Sequence, residues 1–176
     1  STIGISDKTI QHYLWYLEET FIIKKVTPYY RNIRSEITKT PLYYFYDMGV
    51  RNYLLGLFGV PVIPQVMSGH LFENAIFNLL RQHTHFASTS IHFWRTTDNA
   101  EVDFVVNAGL EVIPIEAKYT KLQSAQTTRS FKSFISKYQP KKGYIVHLGD
   151  RFKTEIDKTN VYTLPFFDLV AGKLEL

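Results

Sequence analysis

The feature that most narrows the fold is a pair of alternating stretches divided by a turn. In Glu101-Val102-Asp103-Phe104-Val105-Val106 the alternation predicts Val102, Phe104 and Val106 on one face, with Glu101, Asp103 and Val105 on the other. In Val112 to Lys118 it predicts Ile113, Ile115 and Ala117 on one face, with Val112, Pro114, Glu116 and Lys118 opposite. Asn107-Ala108-Gly109 supplies turn residues between them, so antiparallel pairing is the simplest connection. A register that stacks the apolar faces then sets Asp103 on the same face as Glu116 and Lys118, because a slip of one residue would bury the charges.

Two carboxylates on neighbouring strands offer hard oxygen ligands, which suit Mg²⁺ or Mn²⁺. Such an ion polarises a phosphate oxygen and acidifies a bound water, and a lysine two residues from a ligand stays on the ligand face to orient or deprotonate that water. Asp103 and Glu116 are the candidate metal ligands and Lys118 the water-directing group, with Glu73 in the preceding helix as a further acidic ligand. The plainer alternative has the carboxylates facing solvent and pairing with Lys118 or Arg95, an arrangement of small energetic worth. There is no cysteine, which excludes thiolate nucleophiles and zinc fingers built on cysteine. The six histidines show no H-E-x-x-H spacing and are expected to be structural or solvent-facing, with His83 and His85 near a helix end. Trp15 and Trp94 are expected to be packing residues.

Around this pair the pattern predicts an α+β or α/β chain. Residues Ser6 to Thr20 read as a helix with Ser6 as N-cap and Ile10, Tyr13, Leu14 and Leu17 on one face. Phe21 to Tyr30 and Leu42 to Tyr46 read as a hairpin, which gives the order of a winged helix with Lys24, Lys25, Arg31, Arg34 and Lys39 around it. A short helix starts at Asp47, and Gly56 to Ser68 reads as a connector. The expected division is therefore a winged-helix-like segment with connector over 1–68 and a second domain over 69–176. That domain reads as a helix from His70 to His83, strands near Ile91 to Thr96, Glu101 to Val106 and Val112 to Lys118, a helix from Ser124 to Tyr138, and strands near Tyr144 to Leu148 and Val161 to Leu164. The order is α-β-β-β-α-β-β, with helices covering a mixed central sheet.

The net charge of +4 permits nucleic-acid binding without requiring it. Its distribution says more: between Glu116 and Asp150 there is no acidic residue, while Lys118, Lys121, Arg129, Lys132, Lys137, Lys141 and Lys142 all fall there. On the helix within that stretch Phe131, Phe134, Ile135 and Tyr138 are expected to face the core, leaving Arg129, Lys132 and Ser136 outward. Lys121, Arg129, Lys132, Lys24, Lys25, Arg31 and Arg34 are the candidate phosphate contacts, set against an ordinary solvated basic face. No apolar run reaches the length of a membrane helix, and the reading is a soluble cytoplasmic chain. No phosphate-loop signature is present, so no ATP site is expected in this chain.

The ordered set of motifs resembles the PD-(D/E)XK nuclease-like fold in the version belonging to domain of unknown function 4143. It comprises Ser6-Asp7-Lys8-Thr9-Ile10 with Tyr13-Leu14 and Leu17-Glu18, Pro41-Leu42-Tyr43-Tyr44-Phe45-Tyr46-Asp47-Met48-Gly49-Val50-Arg51-Asn52, Gly69-His70-Leu71-Phe72-Glu73-Asn74, Phe93-Trp94-Arg95, Glu101-Val102-Asp103-Phe104-Val105 and Pro114-Ile115-Glu116-Ala117-Lys118. The resemblance implies a restriction-endonuclease-like α-β-β-β-α-β core. It places Glu73, Asp103, Glu116 and Lys118 at the acidic and lysine positions, with Val102 where the superfamily name has proline. It also implies a position behind an AAA-type ATPase module of the same polypeptide. Two functions follow as expectations: Mg-dependent or Mn-dependent cleavage of nucleic acid, with DNA as the partner, or a catalytically silent DNA- or protein-binding module coupled to that ATPase. A purely structural oligomerisation domain is a third reading, resting on the aromatic content, and the sequence leaves the oligomeric state open.

Overall fold

The computed structural model describes residues 4–30, 40–84 and 89–174. The first helix, α1 (Asp7–Glu19), starts where expected: the Ser6 hydroxyl accepts the Thr9 N–H at 3.2 Å. Its apolar face is only half used. Ile10 and Leu14 are half-buried, while Tyr13 and Leu17 are 61% and 37% exposed, so the expected stripe is corrected to a partial one. The reason is the small surface opposite it, a two-stranded antiparallel sheet of β1 (Ile23–Val26) and β2 (Leu42–Phe45). Asp47 then caps α2 (Met48–Leu54), its Oδ1 accepting the Gly49 N–H at 2.6 Å and the Val50 N–H at 3.2 Å.

Helix α3 (Gln65–His83) begins earlier than the sequence suggested, so the last residues of the expected connector are helical. It is followed by β3 (Thr89–Arg95), β4 (Glu101–Ala108), β5 (Glu111–Ala117), α4 (Arg129–Tyr138) and β6 (Lys142–His147). The expected α-β-β-β-α-β order is present. Beyond it lie β7 (Phe152–Ile156), β8 (Thr159–Pro165) and α5 (Phe166–Val170), of which only β8 was anticipated. Helix α4 starts at Arg129 rather than near Ser124, because the cap is Thr128, whose hydroxyl accepts the Phe131 N–H at 3.1 Å.

The six strands form one mixed sheet in the order β3-β4-β5-β6-β8-β7. The β3-β4-β5 meander is antiparallel, β6 runs parallel to both β5 and β8, and β7 closes the edge antiparallel to β8. Residues 118–141, which include α4, make the crossover that a parallel β5–β6 pair needs. Helix α3 covers one face of the sheet, where Phe72, Ile76, Phe77 and Leu80 meet Phe104, Val106, Ile113 and Ile115. Helix α4 covers the other, where Phe131, Phe134 and Ile135 meet Trp94, Val102, Val105 and Ile145. The core and solvent sides expected for α4 are those observed: Arg129, Lys132 and Ser136 are exposed.

These two clusters correct the expected alternation in β4. Val102 packs with Val105 on the α4 side, whereas Phe104 and Val106 pack on the α3 side. The cause is a β-bulge: His92 pairs with Val105 and Trp94 with Val102, so Asp103 and Phe104 together face Phe93. An extra residue shifts side-chain parity and turns the local strand, a device that can re-aim a side chain.

The N-terminal segment is joined to this sheet. Phe93 donates its N–H to Thr27 O at 3.3 Å and accepts the Tyr29 N–H at 2.6 Å, so residues 27–29 cover the open edge of β3. Asn74, 3% exposed on α3, accepts the Phe45 N–H at 3.0 Å and donates to Phe45 O at 2.8 Å. Its amide satisfies β2 as a neighbouring strand would. Replacing Asn74 by Leu strands the Phe45 N–H, while Phe45 O keeps the Asn78 amide at 3.1 Å, and is expected to cost about 1–3 kcal/mol, read as a lower urea midpoint.

Candidate active site

The expected convergence has its centre at Asp103. Pairing of β4 with β5 runs from Ala108↔Glu111 to Phe104↔Ile115, and immediately past that pair the Asp103 Oδ2 accepts the Ala117 N–H at 2.7 Å. A carboxylate thus takes over at the point where the strands stop pairing. Burial pushes the Asp103 carboxyl up to about 7, and the charges of Glu73 and Glu116 push the same way, against the Ala117 N–H and Lys118.

Glu116 is 4% exposed, near the C-terminal end of β5. Its Oε1 pairs with Lys118 Nζ at 2.6 Å, as the two-residue spacing predicted, and its Oε2 accepts the Thr128 hydroxyl at 3.1 Å. Thr128 therefore holds two things at once, the start of α4 and the orientation of Glu116. Thr128→Ala is expected to destabilise the chain by about 1–2 kcal/mol through the lost cap, read by thermal unfolding. Thr128→Ser should restore most of that loss.

Glu73 reaches the same place from α3. It accepts a short hydrogen bond from the Tyr44 hydroxyl, and its other oxygen lies 3.8 Å from His70 Nδ1. Burial raises the Glu73 carboxyl above its ordinary value, and the charge of Glu101 adds to this. Tyr44, 6% exposed on β2, has its phenol held neutral first by burial and then by Glu73 and Asp103. Glu101 is turned to Arg95, 2.5 Å away. The site thus joins Asp103, Glu116, Lys118 and Glu73, and adds Tyr44 and Thr128, which the sequence reading did not single out.

Among the described residues no three His, Asp or Glu side chains stand close enough to hold a metal ion between them. The donor chemistry nevertheless fits a hard divalent cation. Asp103 and Glu116 are carboxylates whose proximity raises the affinity of Asp103 for a positive charge, and Mg²⁺ is commonly held by one or two carboxylates with water and phosphate oxygens completing its shell. Lys118 occupies Glu116 as a cation of the protein's own.

The basic candidates divide. Lys121, Arg129 and Lys132 are exposed, and Arg129 follows Thr128 directly, so the outward side of α4 starts beside Glu116. Lys24 is tied to Glu18 at 2.9 Å, and Lys25 is exposed with its N–H on the same carboxylate at 3.2 Å. Arg31, Arg34 and Lys39 lie outside the described residues, as does His85. His147, fully buried, accepts the Leu122 N–H at 3.0 Å and donates to Asp150 O at 2.7 Å, a structural role that fastens the loop after Lys118. His83 bonds Leu169 O at 3.1 Å, joining α3 to α5. Trp94 is 1% exposed and packs as expected, whereas Trp15 is 51% exposed, against the packing role expected of it.

Residues 68–167, which contain all four acidic and lysine candidates, match the family described as Domain of unknown function (DUF4143). The chain belongs to that family. Residues 1–60 match a second family, described as Domain of unknown function (DUF8612). Uncharacterized proteins of Mycobacterium tuberculosis and Mycobacterium bovis are each 25% identical to this DUF4143 chain over 152 residues, covering 85% of it and 33% of their own length. The chain therefore spans about a third of the curated relatives it matches. A solved structure with partial likeness is a Thermococcus gammatolerans assembly of McrB AAA+ hexamers with bound McrC, at a TM-score of 0.45 and 17% identity over 55% of this chain and 27% of that one. No described helix is long and apolar enough to cross a membrane.

Proposed function

We propose that this DUF4143 chain is the nuclease-like part of a longer ATPase-containing polypeptide and cleaves phosphodiester bonds of DNA with Mg²⁺ or Mn²⁺. The observation that carries the reading is the buried Asp103 carboxyl at the point where β4 and β5 stop pairing, pushed up to about 7 by burial first and then by the charges of Glu73 and Glu116, with Lys118 on Glu116. A fold seldom buries a carboxyl beside other acidic groups where a neutral residue would serve, and perturbed carboxyls cluster where chemistry is done. In this reading the fold is of the PD-(D/E)XK, restriction-endonuclease-like kind, and the α1–β1–β2 segment is a winged-helix-like element.

Asp103 and Glu116 would hold the ion and Glu73 would be the auxiliary acid. When bound, a divalent ion supplies positive charge against the phosphate oxygens and a more acidic water. Lys118 directs or deprotonates the attacking water from its place beside Glu116, and Tyr44 fixes the Glu73 carboxylate. Lys121, Arg129 and Lys132 hold the phosphate backbone, which gives binding that falls with salt and reads little sequence. The place of action is the cytoplasm.

The test is cleavage of duplex and single-stranded DNA with Mg²⁺ or Mn²⁺ by wild type and Asp103→Ala. The variant is expected to lose cleavage while still binding DNA. Equal cleavage by the two proteins sinks the assignment.

A second reading has a specific observation in its favour. Helix α1 buries none of its residues, and Tyr13, Trp15 and Tyr16 on it are 61%, 51% and 53% exposed. A silent module that docks to the ATPase part of the same polypeptide would cover such a surface. It predicts no cleavage with any divalent ion and DNA or protein binding that does not need Asp103.

A further inference from the structure

Next to the carboxylates lies a cavity of about 200 Å³ that the cleavage scheme does not use, lined by Tyr43, Tyr44, Arg51, His70, Glu73 and others. Its walls come from both parts of the chain. Arg51 stands in the last turn of α2, His70 and Glu73 on α3, and Tyr43 and Tyr44 on β2. Glu73 is shared between the cavity and the Asp103 site, because its charge acts on Asp103 while its side chain lines the cavity. Glu73 therefore borders the cavity on one side and faces the charge of Asp103 on the other.

Arg51 decides the chemistry of the occupant. It is half-buried, and its one described side-chain contact is a long one, 3.4 Å from Nη1 to the Oδ1 of adjacent Asn52. No carboxylate among the described residues pairs with it, although Glu73 lines the same cavity. Glu73 is instead turned to the Tyr44 hydroxyl and to His70. A half-buried guanidinium whose fork is left for something outside the chain matches a planar or tetrahedral oxyanion, which it can grip through two parallel N–H donors. His70, with its side chain 72% exposed at the rim, can add a further donor.

We propose that Arg51 and its cavity receive a phosphate group of the substrate next to the one processed at Asp103, so that Arg51 is a substrate-positioning residue. The proposal rests on the nucleic-acid reading given above. It assigns the N-terminal part of the chain a direct share in substrate binding, since Arg51 precedes the DUF4143 match at residues 68–167.

The experiment measures binding of a short fluorescein-labelled DNA duplex, with 5′-phosphate or 5′-hydroxyl ends, in EDTA so that no cleavage occurs. Wild type, Arg51→Gln, Arg51→Lys and Arg129→Gln are compared, with melting curves taken to confirm that each is folded. Arg51→Gln is expected to weaken binding about tenfold and Arg51→Lys by less, since it keeps charge but loses the fork. A loss confined to the 5′-phosphorylated duplex identifies the phosphate as terminal, and an equal loss for both duplexes identifies it as internal. Arg51→Gln binding both duplexes as tightly as wild type overturns the proposal, whereas weakening by Arg129→Gln in the same set keeps the nucleic-acid reading. If wild type binds neither duplex, yet inorganic phosphate raises the melting temperature of wild type and not of Arg51→Gln, the pocket stands and the DNA reading falls. No response to DNA or to phosphate overturns both.

Discussion

Asp103→Asn is expected to make the protein more stable at pH 8, by up to about 4 kcal/mol, and to raise its melting temperature by roughly 5–15 °C. The folded protein holds the Asp103 carboxyl at about 7, against an ordinary value of 3.8. A carboxyl raised in this way favours the folded state while protonated, so its contribution is complete below about pH 4 and is lost as pH rises through 7. At pH 8 the wild type carries the full cost of ionising a buried group that also faces the charges of Glu73 and Glu116. Asparagine removes that cost and keeps an oxygen to accept the Ala117 N–H. The gain should shrink to under about 1 kcal/mol by pH 4, where the folded carboxyl is protonated and the unfolded one, close to its ordinary value of 3.8, is only partly ionised. Urea titrations at the two pH values read the difference. An Asn variant less stable than wild type at pH 8 would show that Asp103 is held by favourable contacts, and the electrostatic argument for the site would lose its basis.

Lys118→Met is expected to have the second large effect, with opposite signs in two assays. DNA cleavage should fall by about 10²–10⁴-fold, the range for loss of a positioned proton-transfer group. Mn²⁺ binding should tighten, by about tenfold, because the Lys118 ammonium sits 2.6 Å from the Glu116 oxygen that a cation needs and is no longer there to compete. Without metal the variant leaves the buried Glu116 without its counter-charge and should be less stable than wild type, by an amount that added Mn²⁺ makes good. Weaker Mn²⁺ binding together with lost cleavage would mean that Lys118 shapes the site instead of competing for it.

How legible the site was follows from which rules carry it. The Glu116–Lys118 pair could be read directly, because a two-residue spacing in a regular strand holds two side chains on one face. Asp103 was located, but for an incomplete reason. Clean alternation set Val102 with Phe104, whereas the bulge opposite Phe93 divides them between the two cores. No glycine marks that bulge, and what fixes it is how Trp94 and Phe104 fill opposite faces of the sheet, which a local pattern does not contain. Thr128 was hidden by the polar run from Ser124, where several residues have cap chemistry and only the packing of Phe131 and Phe134 selects the start of α4. Tyr44 lay in a strand read for its aromatics, and its bond to Glu73 spans 29 positions. Strand β7 alternates plainly in Phe152-Lys153-Thr154-Glu155-Ile156. It was missed because its turn, Asp157-Lys158, has both residues at positive φ without the glycine that normally announces such a hairpin.

The central question is whether Asp103 and Glu116 act together on one cation. Isothermal titration of the chain with Mn²⁺, comparing wild type with Asp103→Ala and Glu116→Ala, tests this most directly. One saturable binding event is expected in the wild type, removed by both substitutions, with all three proteins folded by circular dichroism. Wild-type protein that binds no Mn²⁺, or binding that survives both substitutions, would contradict a shared cation site.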